Sequence, residues 1–196
     1  MALDDARAPR RVHVRPSDPA WEARGAALAT ELHAALGPRA LRVDHIGSTA
    51  IPGMAAKRVF DLQASVADLD EAAAAFDPPL AGLGFARRPY ERDHVPSGRA
   101  DDPARWAKRY WTRADPARDR ISLHVRVAGS PNERLALLFR DWFRAHPDAI
   151  PAYAAFKLSL AARVPGREAY ADLKDPVVDL VVAVAEPWAL ATAWTP

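Results

Sequence analysis

The chain reads as an α+β domain in which a small mixed or antiparallel sheet is backed by helices and followed by a helical C-terminal part. Three observations predict this. Strand-length runs alternate apolar and polar residues at 58–66 and 121–127, a Gly47-Ser48 turn joins two strand-like runs between 41 and 66, and helical spacing takes over from Pro131 onward. With 196 residues, 49% hydrophobic and 27% charged, the chain has the size and apolar content of one soluble globular domain. We expect that domain to span residues 1–186, leaving 187–196, with Trp188 and Trp194, as a C-terminal tail that either packs back or stays loose.

Val12 to Arg15 alternates as a short strand does, and Ser17 or Asp18 before Pro19 supplies a helix start. Trp21, Leu28, Leu32, Ala35 and Leu36 then recur at helical spacing until Gly37-Pro38 ends the run. Leu41 to Ile46 is a strand entering the glycine turn, and Arg58 to Val66 is the strand leaving it. Asp68 caps a helix reaching about Leu80, and Phe85 to Arg88 forms a short strand. Pro89 to Lys108 is polar and proline-bearing and reads as a long loop, and the charged run from Arg87 to Arg109 is a solvated loop or, alternatively, a lid whose arginines meet an anionic substrate. Arg109 to Arg113 and Ile121 to Val127 form a hairpin, with Ser122, His124 and Arg126 together on the face opposite the core. Leu135, Leu138, Phe139, Trp142 and Phe143 mark one later helix, and Tyr153, Phe156, Leu160 and Val164 mark a second. Glu168 to Glu186 forms a third, and Arg140-Asp141 reads as an ion pair within or between helices.

The 27 basic and 25 acidic residues nearly cancel, a balance that does not point to nucleic acid, and no aromatic platform flanks the early arginines. With no cysteine there is no disulfide, zinc-thiolate or cysteine nucleophile to consider. Met1 to Arg11 has no leader-like pattern and no run is long enough to span a membrane, so the cytoplasm is the expected compartment.

The chemistry concentrates between His45 and Gln63. A Gly47-Ser48 turn exposes backbone N–H groups suited to an anion, and Asp61 on the next strand can hold that anion's metal, a pairing that suits a nucleoside triphosphate. Thr49 can assist the turn, His45 can orient it, and Lys57 follows it where a phosphate would lie. Strand alternation puts Asp61 and Gln63 on one face; if the 121–127 strand lies alongside, they share a pocket with His124 and Arg126. There His124 is a satisfied sheet histidine, a general base or a metal ligand, and Asp61 meets a metal or substrate, or pairs with Arg42, Arg58 or Arg126. Tyr153, Lys157 and Lys174 can close the pocket from the helical side and meet a base or phosphates.

The run His45-Ile46-Gly47-Ser48-Thr49, then Ile51-Pro52-Gly53, Ala56-Lys57 and Asp61 resembles the signature of the GrpB family, whose fold belongs to the nucleotidyltransferase superfamily. The resemblance extends through Leu123-His124-Val125, Leu138-Phe139-Arg140-Asp141, Tyr153 with Lys157, and Tyr170 with Lys174. The stretches Asp93 to Arg109 and Leu123 to Asn132 are similar to the GrpB domain fused behind some bacterial dephospho-CoA kinases, although no kinase P-loop occurs here. The resemblance implies a nucleotidyltransferase-like fold, a nucleoside triphosphate, magnesium on Asp61, and phosphates on Gly47, Ser48, Thr49, Lys57, Gln63, Arg126, Lys157 or Lys174. It also departs at one point: Gln63 stands where active relatives carry a second carboxylate. Three functions follow: nucleotide binding with nucleotidyl transfer to a small molecule, a non-catalytic nucleotide-binding or CoA-pathway accessory domain, or a protein-interaction domain using the tail.

Overall fold

Five strands, β1 (Arg42–Ile46), β2 (Phe60–Val66), β3 (Ala86–Arg88), β4 (Arg109–Arg113) and β5 (Ile121–Val127), form one mixed sheet ordered β1-β2-β5-β4-β3. The computed structural model describes residues 11–115 and 117–196. Strands β2 and β5 run parallel at the centre and the other neighbours are antiparallel. Because side chains alternate, the register makes one apolar and one polar face. Phe60, Leu62, Ala64 and Val66 of β2 join Ile121, Leu123 and Val125 of β5 and Trp111 of β4 in the apolar layer.

Helices α1 (Ala20–Leu36) and α2 (Leu69–Gly82) cover that layer with Trp21, Leu28, Leu32, Leu36, Phe76 and Leu80. Each such side chain contributes roughly 1.5–3 kcal/mol by leaving water. The α2 start is fixed by Asp68 Oδ1, which accepts from the Asp70 and Glu71 amides at 2.8 Å. At the head of α1, Asp18 Oδ1 accepts from Ala20 N at 2.9 Å, so of the two expected capping residues it is Asp18 that acts.

On the polar face lie α3 (Pro131–Ala145), α4 (Ile150–Arg163) and α5 (Arg167–Ala191). Phe139, Phe143, Ile150 and Tyr153 pack with Ile51 and Met54, so α3 and α4 grip the loop after the glycine turn. From α3, Arg140 donates to His45 O at 3.1 Å, while Arg144 donates to Ala50 O at 2.8 Å, bracketing the turn by its carbonyls. Arg140 also pairs with Asp141 at 2.6 Å, as the sequence implied.

Three expectations change. Residues 12–15 make only an isolated bridge, Arg15 to Ala56, and Val12 is buried against Val164 and Tyr170. Segment 89–108 is not a free lid: it doubles back through an Arg92–Ala107 bridge and buries Trp106. Its Arg99 meets Glu186 at 2.6 Å and its His94 meets Asp179 at 2.9 Å, which fastens it to α5. Finally, α5 continues through Pro187 to Ala191, and Trp188 and Trp194 pack with Leu138, Ala185 and Ala189. Proline removes one helical hydrogen bond, but here this apolar packing outweighs that loss. Among the described residues, no helix is long and apolar enough to cross a membrane.

Candidate functional site

The part of the polar face left open by the C-terminal helices is a cleft of about 1510 Å³. Its floor follows from register: Ile46 lies opposite Asp61, Asp61 opposite Ser122, and Ser122 opposite Thr112. The adjacent polar row runs from Gln63 to His124 to Tyr110 to Arg88. Gly47 ends β1 with φ 68, where a side chain is strained, and a Cβ there would come within 2.7 Å of Asp61 Oδ2. The glycine therefore both makes the turn and lets the Asp61 carboxylate sit against it.

Behind the turn, His45 Nε2 and Thr49 Oγ1 are 2.9 Å apart, and Thr49 donates to Val59 O at 3.3 Å. Thr49 thus accepts from His45, leaving the buried His45 Nδ1 without a partner. Burial lowers the His45 pKa to about 4, with nearby Arg144 and Arg140 acting in the same direction against Asp61. His45 is consequently a neutral support for the turn. Gly25 makes room for it, since a Cβ on that α1 residue would lie 2.1 Å from the imidazole.

Lys157 of α4, only 2% exposed, donates to Ser48 Oγ at 2.8 Å. Its ammonium lies 5.0 Å from the Tyr153 ring centre, and that of Lys57 lies 5.2 Å from the Tyr170 ring centre. Burial, reinforced by Lys174 and Lys57 and only partly opposed by Asp61, lowers the Lys157 pKa to about 7. Lys57 is lowered too, by burial and then by Lys174 and Arg167, again against Asp61. Burial raises Tyr170 to about 12 and also raises Tyr153, so both phenols stay protonated.

Asp61 is opposed by burial but held below the ordinary carboxylate range by His124, Lys57 and Lys174. His124 Nε2 is 3.9 Å from Asp61 Oδ1. Burial, with Arg126 and Lys108, lowers the His124 pKa. Arg126 Nη2 stands 3.5 Å from His124 Nδ1, which favours the tautomer carrying its proton on Nε2, towards Asp61. His124 thus faces the Asp61 carboxylate across 3.9 Å, close enough to favour its charge.

The structure brings together Gly47, Ser48, Thr49, Lys57, Asp61, His124, Tyr153, Lys157 and Lys174 around the cleft. The Thr49 hydroxyl, however, is committed to the turn. Gln63 and Arg126 share the same sheet face but do not line the cleft. Gln63 is fully buried, accepts from Arg126 and donates to Glu133 O at 3.2 Å. Arg126 Nε donates to Asp93 Oδ2 at 2.8 Å. Lys108 and Asn132 converge on the same Asp93 carboxylate at 2.6 and 2.9 Å, and Ser65 donates to Glu133 at 2.7 Å. The Gln63 amide thus completes a buried network that anchors segment 89–108. Arg42 and Arg58 are engaged elsewhere, with Glu133 and Asp119.

Sequence reading gave no site role to Arg88, Tyr90, Tyr110 or Arg167 and placed Ser122 only on the polar sheet face, yet all of them line the cleft. Strand alternation in β4 could have placed Tyr110 beside His124, but Tyr90 follows the short β3 edge and has no periodic signal. Magnesium on Asp61 would need further oxygen donors beside it. Among the described residues, no three His, Cys, Asp or Glu side chains converge to hold a metal ion. With lysines beside Asp61, this donor set does not fit a two-magnesium centre.

Comparison with known proteins agrees with the fold and the turn. The chain is 41% identical to a dephospho-CoA kinase of Mycolicibacterium paratuberculosis, over 97% of this chain and 49% of that protein. It is 35% identical to a UPF0157 protein of Pseudomonas aeruginosa, over 89% of this chain and 68% of that one. The chain spans about half the length of the kinase-named relatives it matches. The crystal structure of conserved protein GrpB from Enterococcus faecalis superimposes with a TM-score of 0.70 at 25% identity, covering 90% of this chain and 99% of that one. The family model described as GrpB protein matches residues 11–183, which include the glycine turn, the sheet and most of the helical part; the chain therefore belongs to the GrpB family.

Proposed function

We propose that the cleft binds a phosphorylated ligand, with a nucleotide as the best-suited class, its phosphates lying among Ser48, Lys57, Lys157 and Lys174. The observation that carries this reading is Lys157. A lysine 2% exposed, bonded to a serine hydroxyl and crowded by two further lysines, is unfavourable in an empty protein. An anion would supply the missing counter-charge. The kinase name of the half-matching relatives supports a nucleotide as that anion and a link to dephospho-CoA kinase chemistry.

Nucleotidyl transfer is a second reading, favoured by Asp61 facing the cleft with His124 behind it at 3.9 Å. In that reaction an acceptor hydroxyl would pass its proton to Asp61 as its oxygen bonds the α-phosphorus and pyrophosphate leaves. The fold implied by the turn resemblance agrees with this chemistry, whereas the lysine-rich donor set favours binding without catalysis. The interaction-domain reading draws no support from Trp188 and Trp194, which pack inward.

Calorimetric titration with ATP, CTP, GTP, UTP and dephospho-CoA, with and without magnesium, tests the proposal on the native chain and on Asp61→Ala. Binding without magnesium that survives Asp61→Ala supports a phosphate-binding accessory domain. Magnesium-dependent binding lost in Asp61→Ala, with pyrophosphate release, supports transfer. Failure of every ligand to bind would sink both.

A further inference from the structure

We infer that Tyr90 and Tyr110 form a stacking subsite for a planar ring at the end of the cleft away from the lysines, so that the preferred ligand is a phosphate ester bearing a base or a comparable aromatic group. The inference rests on the phosphate reading above and specifies what the rest of the ligand is.

Tyr90 is 58% exposed on the cleft wall, so its ring is open to a ligand in the cleft. It is held in a defined orientation all the same, edge-on to Tyr110 with ring centres 6.0 Å apart and planes at 66°. Tyr110 is itself fixed. Its hydroxyl donates to Ser122 Oγ at 3.0 Å, and its ring lies 4.9 Å from the His124 imidazole. Two rings with restricted motion offer stacking area at little conformational cost.

Their position fits a ligand whose phosphates meet the lysines. Tyr110 is opposite His124, and β5 separates its strand from the strand of Asp61. Asp61 is level with Thr112, so Tyr110 lies two strands across and two residues along from it, about 12 Å at about 4.8 Å per strand and about 3.3 Å per residue, a span that a sugar together with its phosphates can bridge. Polar groups for the ring's edge are at hand. Arg88, whose Nε donates to Thr112 Oγ1 at 2.8 Å, and Ser122 border the same end.

The test compares tripolyphosphate, which has no ring, with ATP, CTP, GTP, UTP and dephospho-CoA, titrated into the wild-type chain, Tyr90→Ala and Tyr90→Phe. Because Tyr90 is exposed, neither change should lower the unfolding temperature. At least one nucleotide should bind about tenfold tighter than tripolyphosphate; Tyr90→Ala should remove that advantage and Tyr90→Phe keep it. Tripolyphosphate should bind all three proteins equally. Tripolyphosphate binding with no nucleotide preference, or a preference indifferent to Tyr90→Ala, overturns this inference and leaves the phosphate reading standing. No binding by any probe overturns both.

Discussion

The Lys157 ammonium donates to the Ser48 hydroxyl at 2.8 Å, tying α4 to the glycine turn across more than half the chain. The contact places a buried cation beside the turn, with Lys57 and Lys174 close enough to disfavour its charge.

Lys157 should therefore be a liability to the empty protein. Its folded pKa of about 7 lies below the ordinary value of 10.5, so the unfolded chain binds the extra proton between those limits and stability rises with pH across them. Lys157→Met should be more stable than wild type by about 2 kcal/mol at pH 6, with the difference shrinking towards pH 10. Urea denaturation at pH 6, 8 and 10 measures this. A destabilised Lys157→Met at pH 6 would count against the charge argument.

Binding should recharge the same group. A phosphate beside Lys157 raises its pKa, so the complex takes up a proton above pH 7, and affinity should fall by up to about tenfold per pH unit there. Titrations of tripolyphosphate in buffers of different ionisation enthalpy report the uptake. Comparison with Lys157→Met, which should lack it, cancels the ligand's own titration.

Asp93 anchors the 89–108 segment. Burial opposes its charge, yet Arg126 and Lys108 hold it far below the ordinary carboxylate range. Its contribution to stability is present above pH 4 and is lost progressively as pH falls below that. Asp93→Asn should cost about 3 kcal/mol at pH 7, because Arg126, 6% exposed, is left without its carboxylate. Urea melts from pH 3 to 7 should show the variant's acid sensitivity reduced; equal stability at pH 7 would show that the network is dispensable.

Gly25 offers a reversal of the usual helix rule. Alanine ordinarily stabilises a helix by about 1 kcal/mol over glycine, but here its Cβ would meet the His45 ring at 2.1 Å. Gly25→Ala should destabilise by about 2 kcal/mol and loosen the turn through the His45–Thr49 contact. Thermal unfolding reads the sign directly.

Much of this was legible in the chain. The two-residue period put Asp61 and His124 on one face, and the parallel pairing of β2 with β5 joined them. The same period put Gln63 and Arg126 there, but one step further along each strand α3 covers the sheet, where the Glu133 carbonyl claims Gln63 and Asp93 claims Arg126. Asp93 enters from a segment without periodicity, where alternation says nothing. The last helix was expected to end at Glu186, yet the packing of Ala185, Trp188 and Ala189 carries α5 on to Ala191.

The central claim is that Ser48 and the lysines hold phosphate. Titration of tripolyphosphate into wild type and Lys157→Met in magnesium-free buffer at pH 6.5 tests it most directly. The account predicts saturable one-to-one binding to wild type, weakened at least about tenfold in Lys157→Met. Equal binding to the two proteins, or none to wild type, would contradict it.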